Sequence, residues 1–131
     1  MQRLLVWFLR FDALILTVAF AAVFLPTRWM VASHASLGLG ELPQEPIIEY
    51  LTRSVAVMYA TRGLFVWLAS TDTEKYADLI RLIGATNVLI GAFLFGIDLF
   101  AGMPLFWVAG EGPVIAGVGV AMLWLQRRAA V

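Results

Sequence analysis

Three side chains that could do chemistry interrupt long apolar runs of this sequence: Asp12, Arg62 and Asn87. An ionisable group at membrane depth is costly, so it normally faces a partner charge or a polar cavity. At about 1.5 Å per residue, Asp12 and Arg62 lie roughly 12 Å from the same side of the membrane, and Asn87 roughly 16 Å. We therefore predict an intramembrane ion pair of Asp12 with Arg62, with Asn87 as a hydrogen-bonding neighbour.

Two roles are open for this predicted ion pair. Paired polar groups commonly hold two membrane helices together, and this role is favoured. The same residues beside a water-filled path would instead carry protons or a small ligand. A closed contact between Asp12 and Arg62 without such a path would exclude the transport role.

A second polar cluster, which we call the outer-face cluster, is predicted near the opposite ends of the apolar runs. Glu49 and Arg53 are four residues apart, the favourable order for a helical ion pair. The single histidine and Glu111 have the chemistry of an acid and a base, although binding is favoured over catalysis. The Trp side chains either anchor the protein at the interface, which is favoured, or hold a flat apolar ligand. The predicted cluster consists of His34, Glu49, Arg53, Asp98, Trp107 and Glu111.

Other chemistries lack the residues that they need. The chain has one histidine and no cysteine, which excludes bis-histidine haem and makes a zinc site unfavourable. No phosphate-binding glycine loop or nucleophile motif is present. Nine basic residues balance nine acidic ones, so there is no electrostatic field for nucleic acid. We assign no catalytic residue, no metal site and no cofactor.

Composition predicts the elements that position these residues. The chain is 62% hydrophobic and 14% charged, with a mean hydropathy of +0.89. Soluble domains average about 45–50% apolar and about 25% charged residues, so this excess requires lipid. Apolar runs of about 20 residues cross a bilayer as helices. We predict one all-α domain over residues 1–131, a four-helix transmembrane bundle with spans at 4–25, 49–70, 76–101 and 113–128.

The span boundaries differ in how well they are marked. Pro26 ends the first run, and Gly102 with Pro104 ends the third. Arg10 and Asp12 lie within the first run, so we expect a retained helix rather than a signal peptide. The fourth run is short, so either it extends through Arg128 or residues 104–112 enter the membrane before it.

The distribution of positive charge predicts orientation. Lys and Arg concentrate at one set of span ends, which cytoplasmic segments typically carry. Both termini are therefore predicted to be cytoplasmic, with a short inner turn at 71–75. The two outer loops, 26–48 and 103–113, mix apolar, aromatic and polar residues and are expected to lie at the outer interface.

Small residues mark two helix faces that could pack closely. The third span is predicted to present Gly84, Asn87, Gly91 and Asp98 on one face. The fourth repeats the pattern with Gly112, Ala116, Gly117 and Ala121. Such faces allow membrane helices to approach each other.

A series of short motifs runs along most of the chain: Leu37-Gly38-Leu39-Gly40 with Pro43, Glu49-Tyr50-Leu51 with Arg53-Ser54, Met58-Tyr59-Ala60 with Arg62-Gly63, Gly96-Ile97-Asp98, Gly102-Met103-Pro104, Trp107, and Glu111-Gly112-Pro113. In these residues the chain resembles small bacterial four-helix membrane proteins of the DoxX-like or BphX-like kind. This resemblance implies a four-helix bundle in the bacterial inner membrane, and DoxX-like relatives have been linked to quinone-coupled redox complexes.

Three functions are compatible with these features. The favoured one is a non-enzymatic protein that binds a lipid-like molecule, or a larger membrane complex, at its outer face. A quinone-linked redox subunit or enzyme would use Arg53, Asp98, Glu111 and His34. A small transporter would use Asp12, Arg62 and Asn87. The expected partners are membrane lipids and either a larger complex or further copies of the chain.

Overall fold

The computed structural model describes residues 1–130, which form helices and turns with no strand among them. Within this described part the helices are α1 (Gln2–Val18), α2 (Ala21–Phe24), α3 (Thr27–Ser36), α4 (Pro46–Thr71), α5 (Ala77–Phe100), α6 (Leu105–Gly110) and α7 (Gly112–Ala129). The all-helical class expected from composition is confirmed.

Three helical stretches of residues 1–130 are long and apolar enough to cross a membrane: Gln2–Phe24, Ala77–Phe100 and Leu105–Ala129. Each contains 23 to 25 residues, which corresponds to about 35–38 Å at the rise of an α-helix. Buried residues make up only 17%, 28% and 28% of their most apolar windows. The apolar side chains therefore point mostly outward, which is stable in lipid and unfavourable in water.

Helix α4 contains the second predicted span, 49–70, but does not belong to that group of three. Its 26 residues would extend about 39 Å, enough to cross a hydrocarbon core of about 30 Å. Glu49, Arg53 and Arg62 lower its average apolarity. Length therefore permits α4 to span, while composition separates it from the other three stretches.

Predicted and observed boundaries agree best in the C-terminal half. Helices α5 and α7 match the predicted spans 76–101 and 113–128 to within one residue at each end. The predicted first span, 4–25, is not one continuous helix, because a turn at residues 19–20 separates α1 from α2. Both predicted outer loops contain a short helix, α3 in one and α6 in the other.

The chain divides into two compact units. The terminal unit consists of Met1–Phe11 and the chain from Val66 onward, and the middle unit is Asp12–Phe65. In the terminal unit, Leu5, Leu9 and Val66 are at most 1% exposed, as are Ile80 and Met122. These apolar side chains form a core between the first turns of α1, the end of α4, and helices α5 and α7.

Two pairs of glycines bring α5 and α7 together within the terminal unit. A Cβ on Gly91 would lie 2.5 Å from the Gly112 carbonyl oxygen, and a Cβ on Gly119 would lie 2.6 Å from the Gly84 carbonyl oxygen. Real Cβ atoms do not approach backbone atoms that closely, so the backbones of α5 and α7 are in direct contact at these glycines. The predicted small-residue faces are correct at Gly84, Gly91, Gly112 and Ala116, whereas Gly117 has open space beside it.

In the middle unit, the last part of α1 crosses α4 at Gly63. A Cβ on Gly63 would lie 2.6 Å from the Thr17 hydroxyl oxygen and 2.9 Å from the Ala13 carbonyl oxygen. The Thr17 hydroxyl donates to that same carbonyl at 2.7 Å. Ala13 is completely buried, so this crossing depends on small side chains on both helices.

Helix α5 ends in a Schellman motif that redirects the chain into α6. Gly102 has φ +68°, its N–H donates to the Leu99 carbonyl, and the Met103 N–H donates to the Asp98 carbonyl. This pair of bonds at a left-handed residue is the usual helix stop, and glycine adopts the conformation without a Cβ penalty. Pro104 then opens α6, as expected from the Gly-x-Pro sequence.

Candidate functional site

Arg53 links α4 to the end of α2 in the middle unit. Its Nε and Nη2 atoms donate to Glu49 Oε1 at 3.0 and 2.5 Å. Its Nη2 also donates to the Leu25 carbonyl at 3.1 Å, and its Nη1 donates to the Val23 carbonyl. Glu49 Oε1 accepts a further hydrogen bond from the Thr27 hydroxyl at 3.1 Å. The i,i+4 pair expected from spacing is thus one part of a larger network.

The location of this network follows from Pro26. Proline has no N–H and ends α2, which leaves carbonyl groups at the helix end without helical partners. Arg53 supplies donors to two of them, at Val23 and Leu25. A guanidinium suits this role because its five N–H groups are held in a fixed planar arrangement. Arg53 therefore satisfies backbone groups as well as its carboxylate partner.

A cavity of about 220 Å³ lies beside this network, and we call it the α3–α4 cavity. Its walls combine aliphatic side chains with carboxyl, amide and hydroxyl groups. The lining residues are Thr27, Met30, Val31, Leu42, Pro43, Gln44, Glu45, Ile48 and Glu49. Such a mixture suits a molecule with a polar end and an apolar end.

His34 holds the loop that follows α3. Its Nδ1 lies 3.0 Å from the Gly40 carbonyl oxygen, which can only accept, so Nδ1 carries the proton. Gly38 has φ +71° and Gly40 has φ +85°, and the Leu39 N–H donates to the His34 carbonyl. The side chain and the backbone of His34 therefore both fix this turn, a role that its residue type alone did not indicate.

The electrostatics of the α3–α4 cavity favour a hydrogen-bond donor as ligand. Arg53 neutralises Glu49 through their ion pair, whereas the Glu45 side chain has no ion pair among residues 1–130. One carboxylate without a partner cation therefore remains on the cavity wall. A hydroxyl or ammonium group would find acceptors there, and an anion would meet repulsion.

Trp107 and Glu111 form one contact in the terminal unit. The indole Nε1–H donates to Glu111 Oε2 at 2.6 Å, across the junction at which α6 ends and α7 begins. The predicted outer loop 103–113 thus contains helix α6, which joins α7 at Glu111. Trp107 is half-buried, and its N–H finds an acceptor on the other side of the α6–α7 junction.

Asp98 belongs to the same unit and is only 5% exposed. Its Oδ2 is buried and makes no hydrogen bond with any group of residues 1–130. A buried carboxyl oxygen without a partner is unusual in proteins. Asp98 therefore differs from Glu49 and Glu111, which are hydrogen-bonded to neighbouring side chains.

The predicted intramembrane group is distributed over both units. Asp12 and Arg62 both lie in the middle unit. Asp12 Oδ2 is buried without a hydrogen bond to the described residues. Asn87 lies in the terminal unit, is 5% exposed, and its Cβ borders Gly119. The ion pair with Asn87 as neighbour stays a prediction.

Two further cavities, which we call the end cavities, lie in the terminal unit and were not anticipated from sequence. They measure about 400 and 290 Å³ and share Gln2, Thr73 and Glu74. Their remaining walls come from the start of α1, the end of α4, the start of α5 and the end of α7. A sequence signal did exist, since residues 70–74 form an uninterrupted polar segment, Ser-Thr-Asp-Thr-Glu.

The residues of the predicted outer-face cluster make these contacts within their own units: Glu49 with Arg53 and His34 with its own loop in the middle unit, and Trp107 with Glu111 in the terminal unit, where Asp98 is buried. The cluster as a whole stays a prediction. Thr27 and the carbonyls of α2 were missed, because no sequence pattern indicates which carbonyl an arginine will reach. Comparison of the chain with protein-family models, with curated proteins and with solved structures finds no match.

Proposed function

We propose that this protein is a four-helix integral membrane protein that binds the polar head of a lipid-like molecule in the α3–α4 cavity. The observation that carries the proposal is the cavity itself, with aliphatic walls beside acceptor groups. Drug-sized ligands occupy pockets of about 300–1,000 Å³. A volume of about 220 Å³ therefore suits a head group whose tail extends outside.

A path for that tail continues from the cavity along α4. Ile48 lines the cavity, and Leu51, Val55 and Met58 follow it at three- and four-residue spacing on one helix face. These three side chains are 50%, 46% and 70% exposed. An acyl or isoprenoid tail on this stripe would bury apolar surface while its head filled the cavity.

The ligand assignment can be tested by filling the cavity. Val31→Phe places a ring in the cavity wall, whereas Val57→Phe adds the same ring on α4 outside the stripe. We expect native mass spectrometry with lipidomics to find a co-purifying amphiphile on the wild type and on Val57→Phe, and none on Val31→Phe. Equal occupancy in all three proteins would contradict the proposal.

The number of spans is supported by which helix ends meet. Gln2, Ala77 and Ala129 line one end cavity. Gln2 and Ala77 begin two of the apolar stretches, and Ala129 ends the third. A chain that leaves this end at Gln2 must return to it before Ala77. Helix α4 is long enough to make that return crossing. We therefore propose four spans with both termini on one side, the cytoplasmic side of a bacterial inner membrane.

The topology is testable because the chain contains no cysteine, so each introduced thiol is unique. Single variants Glu41→Cys, Lys75→Cys and Ala130→Cys would be treated with a membrane-impermeant maleimide. We expect labelling of Glu41→Cys in intact cells, and labelling of the other two only after permeabilisation. Glu41→Cys and Lys75→Cys on the same side would instead indicate three spans, because α4 would then not cross the membrane.

Asp98 favours a second candidate function, a quinone-linked role. A quinol hydroxyl could donate to the buried Oδ2, which accepts no hydrogen bond from residues 1–130. This function agrees with the resemblance to DoxX-like proteins. Asp98→Asn should then abolish co-purification of quinone while leaving an α3–α4 ligand in place. Quinone retention in Asp98→Asn, or its absence from the wild type, would exclude this candidate.

A further inference from the structure

We propose that the end cavities bind a phosphate–ammonium group, specifically the head group of a zwitterionic phospholipid such as phosphatidylethanolamine. This site lies in the terminal unit and is separate from the α3–α4 cavity in the middle unit. It is formed where the ends of α1, α4, α5 and α7 meet. In the proposed four-span topology these ends lie at one membrane–water boundary, where phospholipid head groups are found.

Thr73 gives the strongest indication that the end cavities hold a ligand. It is 7% exposed and lines both cavities. Its hydroxyl makes no hydrogen bond with any group in residues 1–130. Neighbouring hydroxyls differ, because Ser70 donates to the Trp67 carbonyl and Thr71 donates to the Leu68 carbonyl. The fully buried unpaired side-chain oxygens of the described residues are those of Asp12 and Asp98, so the Thr73 hydroxyl is accessible from the cavities and available to donate to a phosphate oxygen.

Arg3 supplies the positive charge that a phosphate needs. It lines the larger end cavity, and its guanidinium makes no ion pair or hydrogen bond with the described residues. Arg81, by contrast, is already engaged by Asp78 at 3.0 Å and by the Gln126 oxygen at 3.4 Å. Arginine binds phosphate oxygens through two parallel N–H donors, so Arg3 is suited to this role.

Glu74 supplies an acceptor for the ammonium group. Its Oε1 accepts a hydrogen bond from the Gln2 side chain at 3.3 Å, which fixes the carboxylate at the boundary of the two cavities. Its Oε2 has no hydrogen bond with residues 1–130. The larger cavity thus combines Arg3 with two carboxylates, Asp72 and Glu74, so it offers a cation to a phosphate and acceptors to an ammonium group. A purely anionic head group would satisfy Arg3 but would meet repulsion from Glu74.

The cavity walls also favour a lipid over a soluble phosphate ester. Val6 and Trp7 belong to the larger cavity, and Trp7 is 70% exposed. Tryptophan is enriched at the level of the lipid head groups, where its ring contacts the glycerol and upper acyl region. A soluble compound with the same head group would not gain these contacts.

The binding test uses the purified full-length protein in detergent, titrated with phosphatidylethanolamine or phosphatidylglycerol and measured by native mass spectrometry. We expect wild type to prefer phosphatidylethanolamine, and both Arg3→Gln and Thr73→Val to bind it about tenfold more weakly, the effect of losing one charge-assisted hydrogen bond. Glu74→Gln should remove the preference between the two lipids. Arg127→Gln, an exposed arginine near the same end, is the matched control and should bind as wild type does.

Equal binding of both lipids by the wild type would overturn the proposal, and so would unchanged binding in Arg3→Gln. Because Arg3 is exposed, this variant should fold even if Thr73→Val does not. Soluble glycerophosphoethanolamine is expected not to compete with the lipid, and competition at equal concentration would overturn the lipid assignment. Val31→Phe should leave this binding intact, which separates it from the ligand of the α3–α4 cavity.

Discussion

Gly91 and Gly112 face each other so closely that a Cβ on either would lie 2.5 to 2.6 Å from the backbone of the other helix. Gly91→Ala should therefore destabilise the terminal unit by about 1–3 kcal/mol through overpacking. The gain in helix propensity of about 0.5–1 kcal/mol only partly offsets this loss. The measurement is thermal unfolding in detergent, followed by circular dichroism.

Gly96 provides the matched control on the same helix, because a Cβ added there would have nothing within 4 Å of it. Gly96→Ala should be neutral or slightly stabilising, since only the propensity term applies. A melting temperature that falls equally in both variants would show that helix α5 responds to the methyl group itself and not to its contact with α7.

Arg53 is expected to matter for stability through the backbone groups that it satisfies. Arg53→Gln would leave the Val23 and Leu25 carbonyls without their donor, and Glu49 would keep only its hydrogen bond from Thr27, at a cost of about 2 kcal/mol. Hydrogen exchange should increase selectively around residues 21–30. Arg28→Gln, at an exposed arginine in the same region, should change neither quantity, and protection unchanged in Arg53→Gln would refute the role.

The predicted pair of Asp12 and Arg62 can be tested by a double-mutant cycle. Arg62→Leu should destabilise the protein by about 3 kcal/mol, because the half-buried Asp12 carboxylate would lose the charge with which it is predicted to pair. Asp12→Leu combined with Arg62→Leu should cost less than the sum of the single changes. Additive losses in the unfolding free energy, or full stability of Arg62→Leu, would show that the two charges are not coupled.

Trp107 and Glu111 are expected to stabilise the junction of α6 and α7. Trp107→Phe keeps most of the ring but removes the donor of the 2.6 Å hydrogen bond, and should cost about 1 kcal/mol. Trp124→Phe serves for comparison, because that indole lies beside Arg128 and has no carboxylate acceptor in the described chain. Similar melting temperatures of the two variants would exclude a stabilising role for the hydrogen bond.

The turn after α5 gives a prediction about backbone conformation. Gly102→Ala must adopt φ +68°, which costs a residue with a side chain about 1–2 kcal/mol. Gly110→Ala adds the same methyl group in open space at ordinary dihedral angles and should not lower stability. The comparison requires only chemical or thermal unfolding of both variants, and an unaffected Gly102→Ala would contradict the assigned strain.

Sequence predicted α5 and α7 well because their ends carry strong signals. Gly102 and Pro104 stop one helix, and long apolar runs define both. The break between α1 and α2 was missed, since Ala19 and Phe20 are as apolar as their neighbours and interrupt no pattern. Helices α3 and α6 were predicted as parts of loops, α3 because it mixes apolar with polar residues and α6 because it has only six residues and follows Gly102 and Pro104.

The site was predictable where contacts are local in sequence and unpredictable where they are not. Glu49 and Arg53 are one helical turn apart, so their pairing follows from spacing. The bonds from Arg53 to Val23 and Leu25 join residues about 30 positions apart, which no periodicity encodes. Likewise, the hydroxyl of Thr73 is distinguished from that of Thr71 only by its surroundings in the folded chain.

The spacing of the four glycines between α5 and α7 also sets how the two helices align lengthwise. Gly84 and Gly91 are seven residues apart, as are Gly112 and Gly119, so both pairs meet in a single antiparallel alignment. Sliding one helix by seven residues would keep one glycine pair but place the remaining α5 glycine opposite Gln126 or Leu105. The glycines therefore also favour this one alignment, because a shift of seven residues in either direction would lose one of the two close backbone contacts.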